Sequence, residues 1–230
     1  MNTEKFNNFL SQLSNLPISV IKTSALKDFL KPIDLSAKNK ELLKFDTAIS
    51  SDWETYIANF LEDHKATIAF GGYLEKRNLY DRSSYFKNVS EKEKRNIHLG
   101  VDLWCKENSK VLAVLDGKVH SFKNNLNYGD YGPTIILEHE IQGELFYSLY
   151  GHLTLKSIRN LKIGQSFLQG DEIGAIGNAS VNGDYAPHLH FQLIRNLENC
   201  FGDYPGVSSE EKKEFYANNC PDPNLLLKLY

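Results

Sequence analysis

The stretch that most constrains this chain is the hexapeptide His188-Leu189-His190-Phe191-Gln192-Leu193. In a strand, side chains alternate between faces with a period of two. His188 and His190 then share one face, while Leu189, Phe191 and Leu193 fill the other. Two imidazoles side by side on a rigid strand, with apolar anchors behind them, suit a metal site. The competing reading is a solvent-facing pair on an amphipathic strand, because His-x-His is common without a metal.

A second motif, His98-Leu99-Gly100-Val101-Asp102, shifts the balance. Read as extended chain, positions 98, 100 and 102 share a face, and the middle one is glycine. An imidazole and a carboxylate can then converge on one ion with no side chain between them. That imidazole, that carboxylate and an imidazole from the His188/His190 pair make a three-ligand set of the kind catalytic zinc uses, with the fourth position left to water. Singly, each motif reads equally well as an unremarkable loop or surface pair; together, flanked by apolar strand residues, they favour a metal. A third element, Tyr150-Gly151-His152-Leu153, closes an aromatic-rich strand that begins near Leu145.

From about Arg95 to Leu193, these three elements resemble the lysostaphin/LytM-type zinc metallopeptidases, as does the glycine-punctuated run from Ile163 to Gly177. The resemblance implies zinc on His98, Asp102 and His190, and two catalytic histidines that are not ligands, His152 and His188. It also implies the duplicated hybrid motif, with the metal in a groove across one sheet. A further likeness, through Gly129–His139, Asn219–Asn224 and Gly72–Arg77, is to a cytosolic metallopeptidase-like module found between a kinase-like phosphotransferase and a class III aminotransferase in large fusion proteins. The chain departs from the cell-wall members at two places. Asn182-Gly183-Asp184-Tyr185-Ala186-Pro187 replaces their Ser-Thr-Gly-Pro stretch, and Gln192 stands where they carry an acid.

Zinc in such a set polarises a carbonyl and lowers the pKa of water toward ~7, which suits attack on an amide. The sequence has no His-Glu-x-x-His motif to supply a glutamate base. His188, on the same strand face as His190, is the expected base or water-orienting group. His152 is the expected oxyanion or proton partner, and the reverse division stays open. The expected activity is a zinc-dependent amide hydrolase acting on a peptide, muropeptide fragment or other small amide. The alternative is a non-catalytic binding module that uses the same groove; regulators of that kind lose metal ligands, and all are present here.

A chain of 230 residues can bury one good core. The expected fold is mainly β, an antiparallel β-sandwich-like core with a small N-terminal helical extension. Residues 1–90 form the extension and a rim segment, and residues 91–230 the peptidase-like domain with a C-terminal tail. Helices are expected over 4–14 and 51–62, the second capped by Ser50, Ser51 or Asp52. One hairpin is expected across Asp116-Gly117 and another across Gln142-Gly143. His64, His120 and His139 read as structural. A net charge of -3 with no basic cluster argues against a nucleic-acid surface. The sequence opens without a basic-then-apolar leader, and no run reaches the ~20 apolar residues of a membrane span, so a cytoplasmic protein is expected. Three cysteines at irregular spacing indicate no disulfide framework. Substrate contacts are expected from Tyr73, Arg77 and Tyr80 in the tyrosine- and arginine-rich rim, and from Asp184 and Tyr185 in the altered loop.

Overall fold

The computed structural model describes residues 1–23, 29–78, 90 and 92–230. Its framework is an eight-stranded sheet, mixed but almost wholly antiparallel. In chain order the strands of that sheet are β1 (Leu30–Pro32), β2 (Ile68–Gly71), β4 (Val101–Trp104), β6 (Gly117–Asn125), β7 (Gly132–Ile141), β8 (Glu144–Gly151), β9 (Ser166–Phe167) and β11 (His188–Ile194). Across the sheet they run β1-β2-β4-β11-β8-β7-β6-β9, and only the edge pair β1–β2 is parallel. Two small ribbons flank it: β5 (Lys110–Leu112) pairs with β10 (Glu172–Ala175), and β3 (Ile97–His98) pairs with β12 (Val207–Ser208).

Period-two alternation divides the hydrophobic residues between the two faces of this sheet. Ile68 and Phe70, Val101 and Leu103, Ile135 and Leu137, and Leu189, Phe191 and Leu193 all enter one large core. Phe6 and Leu10 of α1 (Thr3–Gln12) cover that core, with Phe6 edge-on to Phe146. The opposite face is divided. Ala69 and Trp104 pack under α2 (Ser50–Asp63) with Trp53 and Ile57, while Ile136 and Leu149 pack with Leu99, Tyr131, Leu197 and Tyr204. The polar residues of β4 and β11 lie between these two satellite cores.

The expected helices form within a residue or two of their predicted ends, but the capping of α2 differs. Ile49, which has no polar side-chain atom, occupies the N-cap, and the Ser50 hydroxyl donates to Asp184 at 2.7 Å. That bond ties the helix to the loop preceding β11. The hairpin across Gln142-Gly143 forms as expected, with both turn residues at positive φ (54° and 81°) and Ile141 facing Glu144. The hairpin across Asp116-Gly117 does not form. β5 pairs with β10 and β6 pairs with β7 and β9, so the turn signal joins two different sheets. There Asp116 accepts the Gln169 amide on one carboxylate oxygen and His139 Nδ1–H on its carbonyl.

The N-terminal segment is more than helical, since β1 and β2 extend the main sheet beside β4. Trp53 stacks on Trp104 at 6.2 Å with only 14° between the rings, and Phe45 meets Trp53 edge-on. Trp53 is 2% exposed, so Trp53→Ala should cost about 3–5 kcal/mol, read from urea unfolding. A loss below about 1 kcal/mol would show that α2 is not part of the cooperative core.

Candidate metal and catalytic site

β11 lies between β4 and β8, and register sets the site. Asp102 and Gly151 face His190 from either side, and Trp104 faces His188. The sequence reading of 98–102 as one strand needs correction. The chain bends at Leu99 and Gly100, so His98 belongs to the β3 ribbon and Asp102 to the main sheet. The two still converge. His98 Nε2 lies 2.9 Å from His190 Nδ1 and 3.2 Å from Asp102 Oδ1, and the last two atoms are 3.1 Å apart. Among the described residues this is the one group of three donor side chains placed to hold a metal. The glycine at 100 is required here: a Cβ would meet the Phe191 carbonyl at 2.6 Å and the His190 ring at 2.8 Å.

The outer hydrogen bonds decide which atoms carry protons. His98 Nδ1–H donates to the Gly72 carbonyl at 3.2 Å, and His190 Nε2–H donates to Gln192 Oε1 at 2.9 Å. In its neutral form each ring therefore turns an unprotonated nitrogen toward Asp102. Burial, and then Arg77, push the His98 pKa down to about 3. Burial alone would raise that of Asp102, but His98, Arg77 and His188 together hold it well below the usual carboxylate range. Three acceptors with no proton among them thus crowd within about 3 Å, an arrangement that a cation between them resolves. In tetrahedral zinc sites with bonds of ~2.0 Å, donors lie ~3.3 Å apart, which these spacings match. The residues present fit a zinc ion.

His152 and His188 stand beside this group with ring centroids 4.2 Å apart. His188 Nδ1–H donates to the Ala186 carbonyl at 2.7 Å, and His152 Nδ1–H to the Asn182 carbonyl at 2.8 Å. Both rings are thereby left with a basic Nε2, and that of His188 is 3.8 Å from Asp102 Oδ1. Burial keeps both neutral, depressing His188 to about 4 and His152 well below the ordinary histidine value. His188 is stacked on Trp104 at 4.0 Å, which continues the pile begun by Trp53.

The five side chains line or floor a cavity of about 670 Å³. Tyr131, Tyr185 and Tyr204 wall it, and Arg95, Lys123, Asp130 and Asp203 bring both charge signs to it. Of the expected substrate contacts, Tyr185 lines the cavity and meets His152 edge-on at 5.1 Å. Arg77 also lines it, but is 1% exposed and binds Asp102 and Glu75. Tyr73 packs against the main core and donates to the Cys220 carbonyl at 2.6 Å, while Asp184 accepts from Ser50. Tyr80 lies outside the described residues.

Two further residues of the site carry no local signal of their role in the sequence. The Tyr131 hydroxyl is 3.4 Å from His190 Nε2, yet its motif gave no cue beyond glycine neighbours. Buried Asn182 braces the loop by bonding Gly177 and Tyr185 on its side chain while its carbonyl orients His152. Because the Phe191 carbonyl cannot yield, Gly100→Ala should displace His190 and weaken metal binding by about tenfold or more, measured by chelator competition. Wild-type affinity in that variant would contradict the packing described.

No curated protein matches the sequence. Among solved structures, the catalytic domain of lysostaphin from Staphylococcus simulans is 26% identical, with 53% of this chain and 80% of that one covered and a TM-score of 0.36. A candidate peptidase M23 from Pseudomonas aeruginosa is 22% identical over 58% of this chain, with a TM-score of 0.38, and this chain spans only 44% of its length. A zinc-containing peptidase from Vibrio cholerae is 25% identical over 47% of this chain and 30% of its own, with a TM-score of 0.34. Residues 96–200 match the model of Peptidase family M23, a stretch that contains all five clustered side chains.

Proposed function

We propose that this protein is a zinc-dependent hydrolase that cleaves a peptide or other amide bond in a small, soluble substrate. The observation that carries the reading is the meeting of three unprotonated donor atoms, on His98, Asp102 and His190, beside two neutral histidines that are not needed as ligands. The match of residues 96–200 to Peptidase family M23 supports it. Bound to those three residues, zinc supplies a Lewis acid for the scissile carbonyl and makes water nucleophilic near neutral pH.

The chain's own residues then divide the proton chemistry. His188 Nε2 is basic, directed toward Asp102, and held by the Ala186 carbonyl and the Trp104 ring. It takes a proton from the attacking water and returns it to the leaving nitrogen, as general base and then general acid. His152 Nε2 is also unprotonated at rest, so it orients that water as a hydrogen-bond acceptor. Amide cleavage needs both services, and the depressed basicity from burial means neither ring is lost to protonation at neutral pH.

The cavity bounds the size of the substrate. At about 670 Å³ it falls within the ~300–1,000 Å³ typical of small-molecule sites, and Tyr131, Tyr185 and Tyr204 line it. Asn182 locks the loop at 178–187 instead of leaving it flexible. A short peptide, a muropeptide fragment or an amide-linked amine fits such a space better than a polymer.

Purified protein should hold about one zinc per chain. His98→Ala, Asp102→Ala and His190→Ala should each abolish tight binding, and full zinc occupancy in any of them by elemental analysis would exclude this ligand set. His152→Ala and His188→Ala should instead keep the metal and lose activity by about 10²–10⁴-fold. For the substrate, turnover of soluble amides and muropeptide fragments should exceed that of intact cell walls. Efficient wall lysis without such a preference would reverse the assignment.

A further inference from the structure

The rim segment Gly72–Arg77 reaches the ligands from outside the sheet strands that carry two of them. Arg77 is 1% exposed, and its Nη1–H donates to Asp102 Oδ2 at 2.5 Å. Its Nε–H donates to Glu75 Oε2 at 2.6 Å, and Glu75 Oε1 accepts the Leu35 amide at 3.2 Å. The guanidinium is therefore anchored through a carboxylate to the chain just beyond β1. Gly72 makes this fold-back possible, since a Cβ there would lie 2.4 Å from the Glu75 carboxyl group. The Gly72 carbonyl also orients His98 through its Nδ1–H.

We infer that Arg77, braced by Glu75, is a positioning residue that fixes how Asp102 meets the metal, in place of the substrate contact expected from the sequence. The inference rests on the zinc reading above. Asp102 has two oxygens, and only Oδ1 faces the histidines; Oδ2 is occupied by a charge-assisted bond. With Oδ2 held, the carboxylate presents one oxygen at one angle, and His98 is held from the same segment. The charges agree with this. Asp102, Glu75 and Arg77 together carry one net negative charge in a nearly dry setting, so a dication leaves the group modestly positive. Without Arg77, Oδ2 would be buried with its strongest partner gone, and the carboxylate could turn to offer both oxygens.

The test compares wild-type protein with Arg77→Met, Arg77→Lys and Glu75→Gln for zinc affinity by chelator competition, and for the visible spectrum of the cobalt-loaded form. Arg77→Met should bind zinc about 10–100-fold more weakly, and its cobalt bands should lose intensity as the coordination number rises. Arg77→Lys keeps the charge but not the fork, and should recover part of the affinity. Glu75→Gln should shift both readouts in the same direction by less. A folded Arg77→Met with wild-type zinc affinity and an unchanged cobalt spectrum would overturn the inference. Should that variant fail to fold, an unaltered affinity and spectrum in Glu75→Gln would overturn it equally. Wild-type protein that binds neither ion would instead overturn the zinc reading itself.

Discussion

The site depends on a repulsion that the fold holds in place. His98 Nε2, His190 Nδ1 and Asp102 Oδ1 are acceptors within about 3 Å of one another, and each is held there by a bond on its far side. The Gly72 carbonyl holds His98, Gln192 holds His190, and Arg77 holds Asp102. Folding supplies the rigidity: β11 sits between β4 and β8 with both faces buried, so the backbone that carries His190 and Asp102 is fixed by the central strand pairing. A cation turns this cost into binding free energy, which is the ordinary logic of preformed metal sites.

The surroundings extend that logic outward. Gln192 is itself held by the Pro205 carbonyl and Cys220, so the C-terminal part of the chain reaches His190 through an amide. A neutral amide draws less on the imidazole N–H than a carboxylate would, which makes His190 a weaker donor to a metal. On the other flank, α2 reaches His188 through Trp53 and Trp104 and reaches the 178–187 loop through Ser50 and Asp184. The N-terminal segment thus buttresses residues that line the site as well as covering the sheet.

What could be read in the sequence follows from the range of the interactions. The faces of β11 were legible because strand alternation is local, and Leu189, Phe191 and Leu193 do enter the main core. The turn at Gln142-Gly143 was legible for the same reason. The bend at Leu99-Gly100 was not, because it depends on β3 pairing with β12 more than 100 residues away. The Asp116-Gly117 turn misled because the partner of β5 lies near residue 174, and no local signal marks such a pairing. Ser50 looked like a cap, and Arg77 and Tyr73 looked like surface contacts. Each was drawn elsewhere by a partner distant in sequence: Asp184, Asp102 and Cys220 respectively.

X-ray absorption at the zinc edge of the metal-loaded protein tests the central claim most directly. Cys200 also lines the cavity and would be a competing soft ligand. The account predicts a shell of nitrogen and oxygen at ~2.0–2.1 Å, with multiple scattering from two imidazoles and no sulfur. A zinc–sulfur distance of ~2.3 Å, or scattering from fewer than two imidazoles, would contradict it.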